Sequence, residues 1–329
     1  MCKLIIVFFI ESIGGGYMRI IKKDKNPKNL EKIEERQSSQ LKAEEKVDLN
    51  LSDTVEENLK KFKAFLEDNS DAVFREFKLG SQGIPCALVY IDGLVNTAVI
   101  HEHVLKSLMY EITMLEDIKD EVINQNNVYE FVKQSAVSVG EVKEASTLDR
   151  CMLLVMSGEV ALLVEGSNKI LVVNARGWPA RGVSQPDTEG SIRGPKDAFT
   201  ETLRVNTALL RRKCKDPNMV IKTIQLGRRS KTDVSYIYIK GITDPELIRE
   251  VERRLNQIDV DEVMETGQIE QWIQDSYLSP FPQVRITERP DVTISNIVEG
   301  RVAILVDHSP SALIVPSGLY QFIQSPEDY

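Results

Sequence analysis

The first clear signal along the chain is an apolar stripe. Val55, Leu59, Phe62 and Leu66 recur at helical spacing, behind Ser52 and Asp53, either of which can cap a helix. Val73 to Leu79 then alternates as a half-buried strand does. Gly80 to Pro85 is turn chemistry, and Cys86 to Ile91 is a continuous apolar run of the kind buried on both faces. Asp92-Gly93 ends that run. Asn96 caps a helix predicted to reach Ile112, and a further helical stretch covers Leu115 to Ile123. Residues 124–147 are polar and less regular, with a short strand predicted over Tyr129 to Lys133. Leu148 to Met156 is predicted helical and is stopped by Gly158. Strands Glu159 to Val164 and Lys169 to Asn174 follow, joined by the hairpin turn Gly166-Ser167-Asn168.

Later in the chain the same kinds of pieces return in the same order. Met219 to Leu226 and Val234 to Lys240 are predicted strands. Asp244-Pro245 opens a helix to Ile258, with proline in the first turn, where its missing N–H costs nothing. A helix at Gln268 to Asp275, a rigid bend at Ser279-Pro280-Phe281-Pro282 and a helix at Asp291 to Glu299 precede a second hairpin, Arg301 to Val306 and Ser311 to Val315. The two hairpin units align without a gap: Gly158 with Gly300, 142 residues on, then Val160 with Val302, Leu163 with Leu305 and Glu165 with Asp307. Leu79-Gly80 matches Leu226-Gly227, and Tyr90 to Gly93 matches Tyr238 to Gly241, at offsets of 147 and 148. Four blocks in one order at similar offsets imply a duplication. The expected fold is α/β: two related lobes, each a mixed sheet with packed helices, joined by a central helix.

That central stretch is Ser191 to Arg212. Arg193-Gly194-Pro195 breaks any regular element, Asp197 offers an acceptor to a helix start, and Phe199, Leu203 and Leu210 make one stripe apolar. Arg204, Arg211 and Arg212 make it basic, two of them in the last turn, where the helix dipole favours cations. It is either a helix joining two lobes or a basic contact surface for a partner or anionic headgroups. The expected organisation is a disordered tail over 1–50, a first subdomain over 51–190, a connecting helix over 191–218 and a second subdomain over 219–329. The tail is dense in charged and amide residues and nearly free of large apolar groups, too few to offset ordering entropy. Residues 1–17 read either as a poor signal peptide or as a mis-annotated start ahead of Met18.

Composition narrows the function. With 41 basic against 50 acidic residues the net charge is -9, which excludes a nucleic-acid partner held by phosphate contacts. Cys2, Cys86, Cys151 and Cys214 have no C-x-x-C spacing, so neither a zinc site nor a disulfide framework is indicated. No Walker loop, dinucleotide fingerprint or G-x-S-x-G is present. His101 and His103 are two apart and cannot share a metal on one helix face; His308 falls in a hairpin turn. No catalytic residue, cofactor or metal is therefore expected. Arg228-Arg229-Ser230-Lys231 is a basic turn that reads either as a solvated tip or as an anion or partner contact. The candidate contact residues are Arg193, Arg204, Arg211, Arg212, Arg228 and Arg229.

Several motifs jointly carry a resemblance. They are Gly177-Trp178-Pro179-Ala180-Arg181, Arg193-Gly194-Pro195 with Phe199-Thr200-Glu201, Leu209 to Arg212, Gly227 to Thr232, Ser279 to Pro282, Glu288-Arg289-Pro290-Asp291, Glu299 to Val306 and the closing Gln324 to Tyr329. From about residue 50 onward the chain resembles the soluble N-terminal domain of GerA-type spore germinant receptor A subunits. The resemblance implies two α/β subdomains on the cytoplasmic side of the spore inner membrane. It implies B and C subunits as partners, self-association of A subunits, and transmembrane helices after Tyr329, through which such proteins are thought to release ions. The expected function is non-catalytic: coupling nutrient sensing in the complex to ion release and germination. The alternative is a binding module holding a nutrient or ion in the interlobe cleft.

Overall fold

In the computed structural model the residues described are 50–80, 82–106, 108–109, 128–137, 142–177, 189, 195–275 and 283–317. Residues 1–49, the stretch Leu115 to Ile123, Trp178, Arg193, the bend Ser279 to Pro282 and the closing Gln324 to Tyr329 lie outside them. The first lobe runs α1 (Val55–Leu66), β1 (Ala72–Leu79), β2 (Ile84–Ile91), α2, α3 (Val128–Val137), β3 (Val142–Ala145), α4 (Leu148–Val155), β4 (Val160–Val164) and β5 (Ile170–Val173). Here α2 begins as Thr97–Val99 and widens into a π-helical stretch, Ile100–Leu105. The second lobe runs α5 (Leu203–Lys213), β6 (Met219–Leu226), β7 (Thr232–Ile239), α6 (Pro245–Asn256), α7 (Thr266–Ile273), β8 (Arg285–Thr287), α8 (Pro290–Val298), β9 (Val302–Val306) and β10 (Ala312–Val315).

The strand orders are β1-β2-β4-β5-β3 and β6-β7-β9-β10-β8, the same topology twice. The register repeats too: Ala145 lies opposite Ile170, and Thr287, 142 residues on, lies opposite Ala312. Where mixed sheets are expected, every strand pair among the described residues is antiparallel. The reason is local. Each lobe contributes two direct hairpins, and the intervening helices return the chain to a strand running opposite to its neighbour. Helices cover both faces of each sheet. In the second lobe α5 and α8 pack through Leu203, Leu210 and Ile297 on one face. Val251 and Leu255 of α6 and Ile269 of α7 pack on the other. In the first lobe Ile100 and Val104 of α2 and Val128 and Val132 of α3 pack against Leu88, Tyr90 and Leu162. Each such side chain, fully buried, contributes about 1.5–3 kcal/mol of transfer free energy.

Two local expectations change. Tyr129 to Lys133 is helical, because Val128 and Val132, one turn apart, both reach the core, and that contact outweighs the local alternation. The central helix starts at Leu203, later than Asp197. Asp197 instead pairs with Lys213 at 3.0 Å. Its true start is a clamp found at both helix openings. Ser52 N–H donates to Asn58 Oδ1 (2.8 Å), and Asn58 Nδ2 returns a bond to the Ser52 carbonyl (2.7 Å). Thr200 and Asn206, each 148 residues on, repeat it at 2.7 and 2.5 Å. The next helical N–H of each, Val55 or Leu203, donates to the acid at a distant hairpin tip, Glu165 at 2.8 Å or Asp307 at 2.9 Å. So α5 holds in the second lobe the place that α1 holds in the first.

Gly158 sits where its lobe admits no Cβ, and Gly300 where a Cβ would be tightly crowded. Their φ angles are +86° and +90°, and an added Cβ would stand 2.9 Å from the Leu94 carbonyl oxygen and 3.1 Å from that of Ile242. Gly241 has φ +79° but, among the described residues, nothing within 4 Å of an added Cβ. Gly241→Ala should therefore cost only left-handed strain, about 1–2 kcal/mol. Gly158→Ala should cost clearly more in urea denaturation, because backbone must move. Equal losses would overturn the steric account.

Candidate functional site

The two lobes meet at a buried arginine. Arg211 lies in the last turn of α5, and its side chain reaches across to the loop that precedes β1. Its Nε donates to Asp71 Oδ2 (2.9 Å) and its Nη2 to Asp71 Oδ1 (2.8 Å), the two-pronged geometry that a guanidinium fork offers a carboxylate. Nη2 also donates to Asn69 Oδ1 (2.5 Å), and Nη1 to the Met219 carbonyl (2.6 Å), with Met156 Sδ 3.9 Å away. The side chains of Arg211 and Asp71 are only 1% and 3% exposed. A charge so far from water is stable only when paired and fully hydrogen-bonded, and all five guanidinium donors have a partner here.

Around this pin the loop lies along the edge of β6. Ser70 N–H donates to the Ile221 carbonyl (2.9 Å), Ile221 N–H to Asn69 Oδ1 (3.1 Å) and Thr223 N–H to Ser70 Oγ (2.9 Å). Arg204, two turns before Arg211, pairs with Asp92 at 3.0 Å. Its stem crosses Gly93, where an added Cβ would stand 3.1 Å from Arg204 Cδ and 3.5 Å from Ala208 Cβ. On the other side Asp68 meets Lys240 and, at 3.7 Å, Lys222. Lys222 continues to Glu252 (3.1 Å), which accepts from the Tyr236 hydroxyl (2.5 Å).

The predicted arginines do not gather in one place. Arg204 and Arg211 come together at the lobe junction. Arg211 is internal, so its partners are groups of its own chain. Arg212, its neighbour, is exposed on the last turn of α5. Arg228 and Arg229 lie beyond the other end of β6, roughly 24 Å along by strand rise. Arg228 is held by Asp259 in a bidentate pair of 2.7 and 2.5 Å, while the Arg229 side chain is exposed. The acceptors Asn69, Asp71 and Asp92 carried no motif. Only the duplication could have pointed to them, because Arg211 aligns with Lys63 and Asp71 with Asn218, a break in the repeat at paired positions. Among the described residues no group of three His, Cys, Asp or Glu is placed to hold a metal.

Electrostatics at the junction follow from the pairing. The hydrogen bond from Lys240, with the nearby Lys222, holds the Asp68 carboxyl below its ordinary 3.8. Burial, then the Glu252 carboxylate, pushes the Tyr236 hydroxyl up. Burial also pushes the Cys86 thiol up to about 12, so it stays a neutral core group. Arg211→Met should cost about 3–5 kcal/mol in urea denaturation, since it leaves Asp71 buried without its cation. Adding Asp71→Asn should recover part of that loss; two independent, additive losses would show that the pair is not coupled. For Asp68 the folded value lies below the unfolded one. Its contribution is thus present above about pH 4 and fades as pH falls through the lower folded value. Between pH 6 and pH 3 the wild type should lose more stability than Asp68→Asn, and parallel profiles would refute this.

The comparisons with known proteins agree on one group. The family model of Bacillus/Clostridium GerA spore germination proteins matches residues 60–329. Spore germination protein KA of Bacillus subtilis (strain 168) is 35% identical over 280 residues, 85% of this chain and 50% of that protein. Spore germination protein GerLA of Bacillus cereus is 35% identical over 281 residues, 85% of this chain and 55% of its own length. The chain thus spans about half the length of the curated relatives it matches. Among solved structures, the N-terminal domain of the A subunit of the Bacillus megaterium spore germinant receptor GerK3 superimposes with a TM-score of 0.64 at 35% identity, covering 82% of this chain and 97% of that one. The duplicated antiparallel lobes and the matched length lead to one conclusion: the chain belongs to the GerA family of spore germination proteins.

Proposed function

We propose that this chain is the non-catalytic domain of a germinant receptor A subunit, and that it transmits contact from nutrient sensing in the complex to ion release and germination. The observation that carries this reading is the Arg211–Asp71 pin, which couples the lobes through a bidentate pair buried on both sides. Breaking it strands a charge in the interior, so a push on one lobe moves the other instead of opening a hinge. The same packing favours a relay over a nutrient-binding cleft, because the junction's arginine donors are already engaged within the chain. The B and C subunits are its partners in this reading, and A subunits also meet one another. Its place is the cytoplasmic side of the spore inner membrane. Among the described residues no helix is long and apolar enough to cross a membrane, so membrane attachment in this reading falls to other parts of the protein.

The exposed Arg212 and Arg229 are the arginines through which this reading places partner contact; Arg193, Arg204, Arg211 and Arg228 are the rest of the candidate set, with Arg211 buried among groups of its own chain. Arg211 tests the fold and Arg212 tests the surface. Spores carrying Arg212→Glu and Arg229→Glu in the full-length protein should germinate several-fold more slowly on nutrient, read as the fall in optical density of a spore suspension. The protein level should stay unchanged. Normal germination of that double variant would remove both residues from the contact. Saturable micromolar binding of a germinant amino acid, sugar or potassium to the 329-residue chain, measured by calorimetry, would replace the relay with a binding module.

A further inference from the structure

The duplication makes the lobe junction a template that can be read a second time. On the first lobe a surface formed by Gly93 and Met156, with Leu94 next to Gly93 in the chain, receives α5 of the second: Gly93 lies under Arg204 and Ala208, and Met156 lies beside Arg211. Leu94 is 1% and Met156 0% exposed. The matching residues of the second lobe are Gly241, Ile242 and Val298, offset by 148 and 142. Here Ile242 is 42% and Val298 47% exposed, and among the described residues nothing stands within 4 Å of where a Cβ on Gly241 would be. The backbone beneath is the same, since Gly300 meets the Ile242 carbonyl as Gly158 meets that of Leu94. The second lobe thus presents an uncovered copy of a docking face that is covered in the first.

The complementary half is uncovered on the first lobe. The start of β6 has its edge paired by the loop from Asp68 to Asp71, and Met219 and Ile221 are fully buried in the core beneath α5, whereas their counterparts Ala72 and Phe74 in β1 are only half-buried. The outer face of α1, which matches the docked face of α5, is exposed at Glu56, Lys60 and Lys63. Charge completes the match. In the template Arg204 pairs with Asp92, and Lys240 with Asp68. The positions that replace these pairs on the two open faces are Glu56 with Lys240, and Asp92 with Lys215. Both pairs keep opposite signs with the polarity reversed, which suits a contact to a like chain; Lys240 and Asp92 also serve the internal pairs, so the second contact shares them with the first.

We propose that the open face of the second lobe, centred on Ile242 and Val298, binds the α1–β1 face of the first lobe of a second copy of this chain, head to tail. This inference rests on the self-association in the reading above and goes beyond it by naming both surfaces. The contact is weaker than its template. Pro217 stands where Ser70 donates its N–H to β6, and Lys63 with Asn218 replaces the buried Arg211–Asp71 fork. It is therefore reversible and depends on concentration. Because the two faces differ, the contact does not close on itself in a dimer; it continues into a ring or an open string.

The test is sedimentation of the whole 329-residue chain from about 1 μM to about 1 mM. The wild type should gain mass with concentration beyond two chains. Val298→Asp, which blocks only the second-lobe face, and Glu56→Arg, which blocks only the first-lobe face, should each weaken this roughly tenfold or more. An equimolar mixture of the two variants should form dimers and nothing larger, because a single intact pair of faces remains. Both positions are exposed, and unchanged circular dichroism confirms the fold; Ile242→Asp repeats the first test should Val298→Asp not fold. A wild type that stays monomeric overturns the inference together with self-association through this domain. Self-association untouched by either variant, or a mixture that stays monomeric, overturns these surfaces and leaves the relay role standing.

Discussion

A guanidinium removed from water needs an acceptor for every N–H and a counter-charge at contact distance. Arg211 has both, and it has them across the boundary between two lobes: carboxylate oxygens from Asp71, an amide oxygen from Asn69 and a carbonyl from Met219. Met219 opens β6 in its own lobe, and the other two belong to the opposite lobe. The pin therefore holds three things in one register: the end of α5, the start of β6 and the loop before β1. The hydrogen bonds of Ser70 and Thr223 can form only while that register is kept. Two independently packed cores become one unit around one buried side chain, with the loop's edge bonds and the Arg204–Asp92 and Asp68–Lys240 pairs about it.

Duplication explains how such a joint arises. Both lobes carry the same five-strand order, the same helix-opening clamp and the same glycine pressed against a carbonyl. What differs lies on the outer face of the first helix of each lobe, which is docked in α5 and open in α1. Lys63 occupies the place of Arg211, lies 5.8 Å over the Phe74 ring and pairs with Glu76 at 3.4 Å, both in its own lobe. One basic position in one scaffold thus serves a local contact in the first lobe and a long-range one in the second.

The duplication was legible in the sequence because it rests on what sequence records best, runs of apolar residues and the glycines that end them. Gly158 and Gly300 marked it, and the clamps follow it residue for residue. The local readings failed where a distant partner decides. Val128 and Val132 are helical because a sheet built from strands on both sides of them in sequence buries them. Asp197 looked like a helix cap, but the cap of α5 is Asp307, 104 residues away from Leu203. The arginines could be listed from sequence and not sorted. Nothing near Arg211 distinguishes it from Arg212, yet a rotation of one residue around α5 separates the interior from solvent. Sheet direction was missed because hairpins and helices alternate here as they do in parallel folds.

The hairpin acids have a consequence for how each lobe comes apart. Glu165 reaches Val55 across 110 residues, and Asp307 reaches Leu203 across 104, so in both lobes the last hairpin fastens the first helix. Beginning and end of a lobe clasp each other like the two halves of a buckle. A lobe built in this way does not fray inward from its termini. A cut in a loop between the clasped ends leaves both pieces anchored, and the outer loops are free to drift in sequence and length while the buckle stays shut.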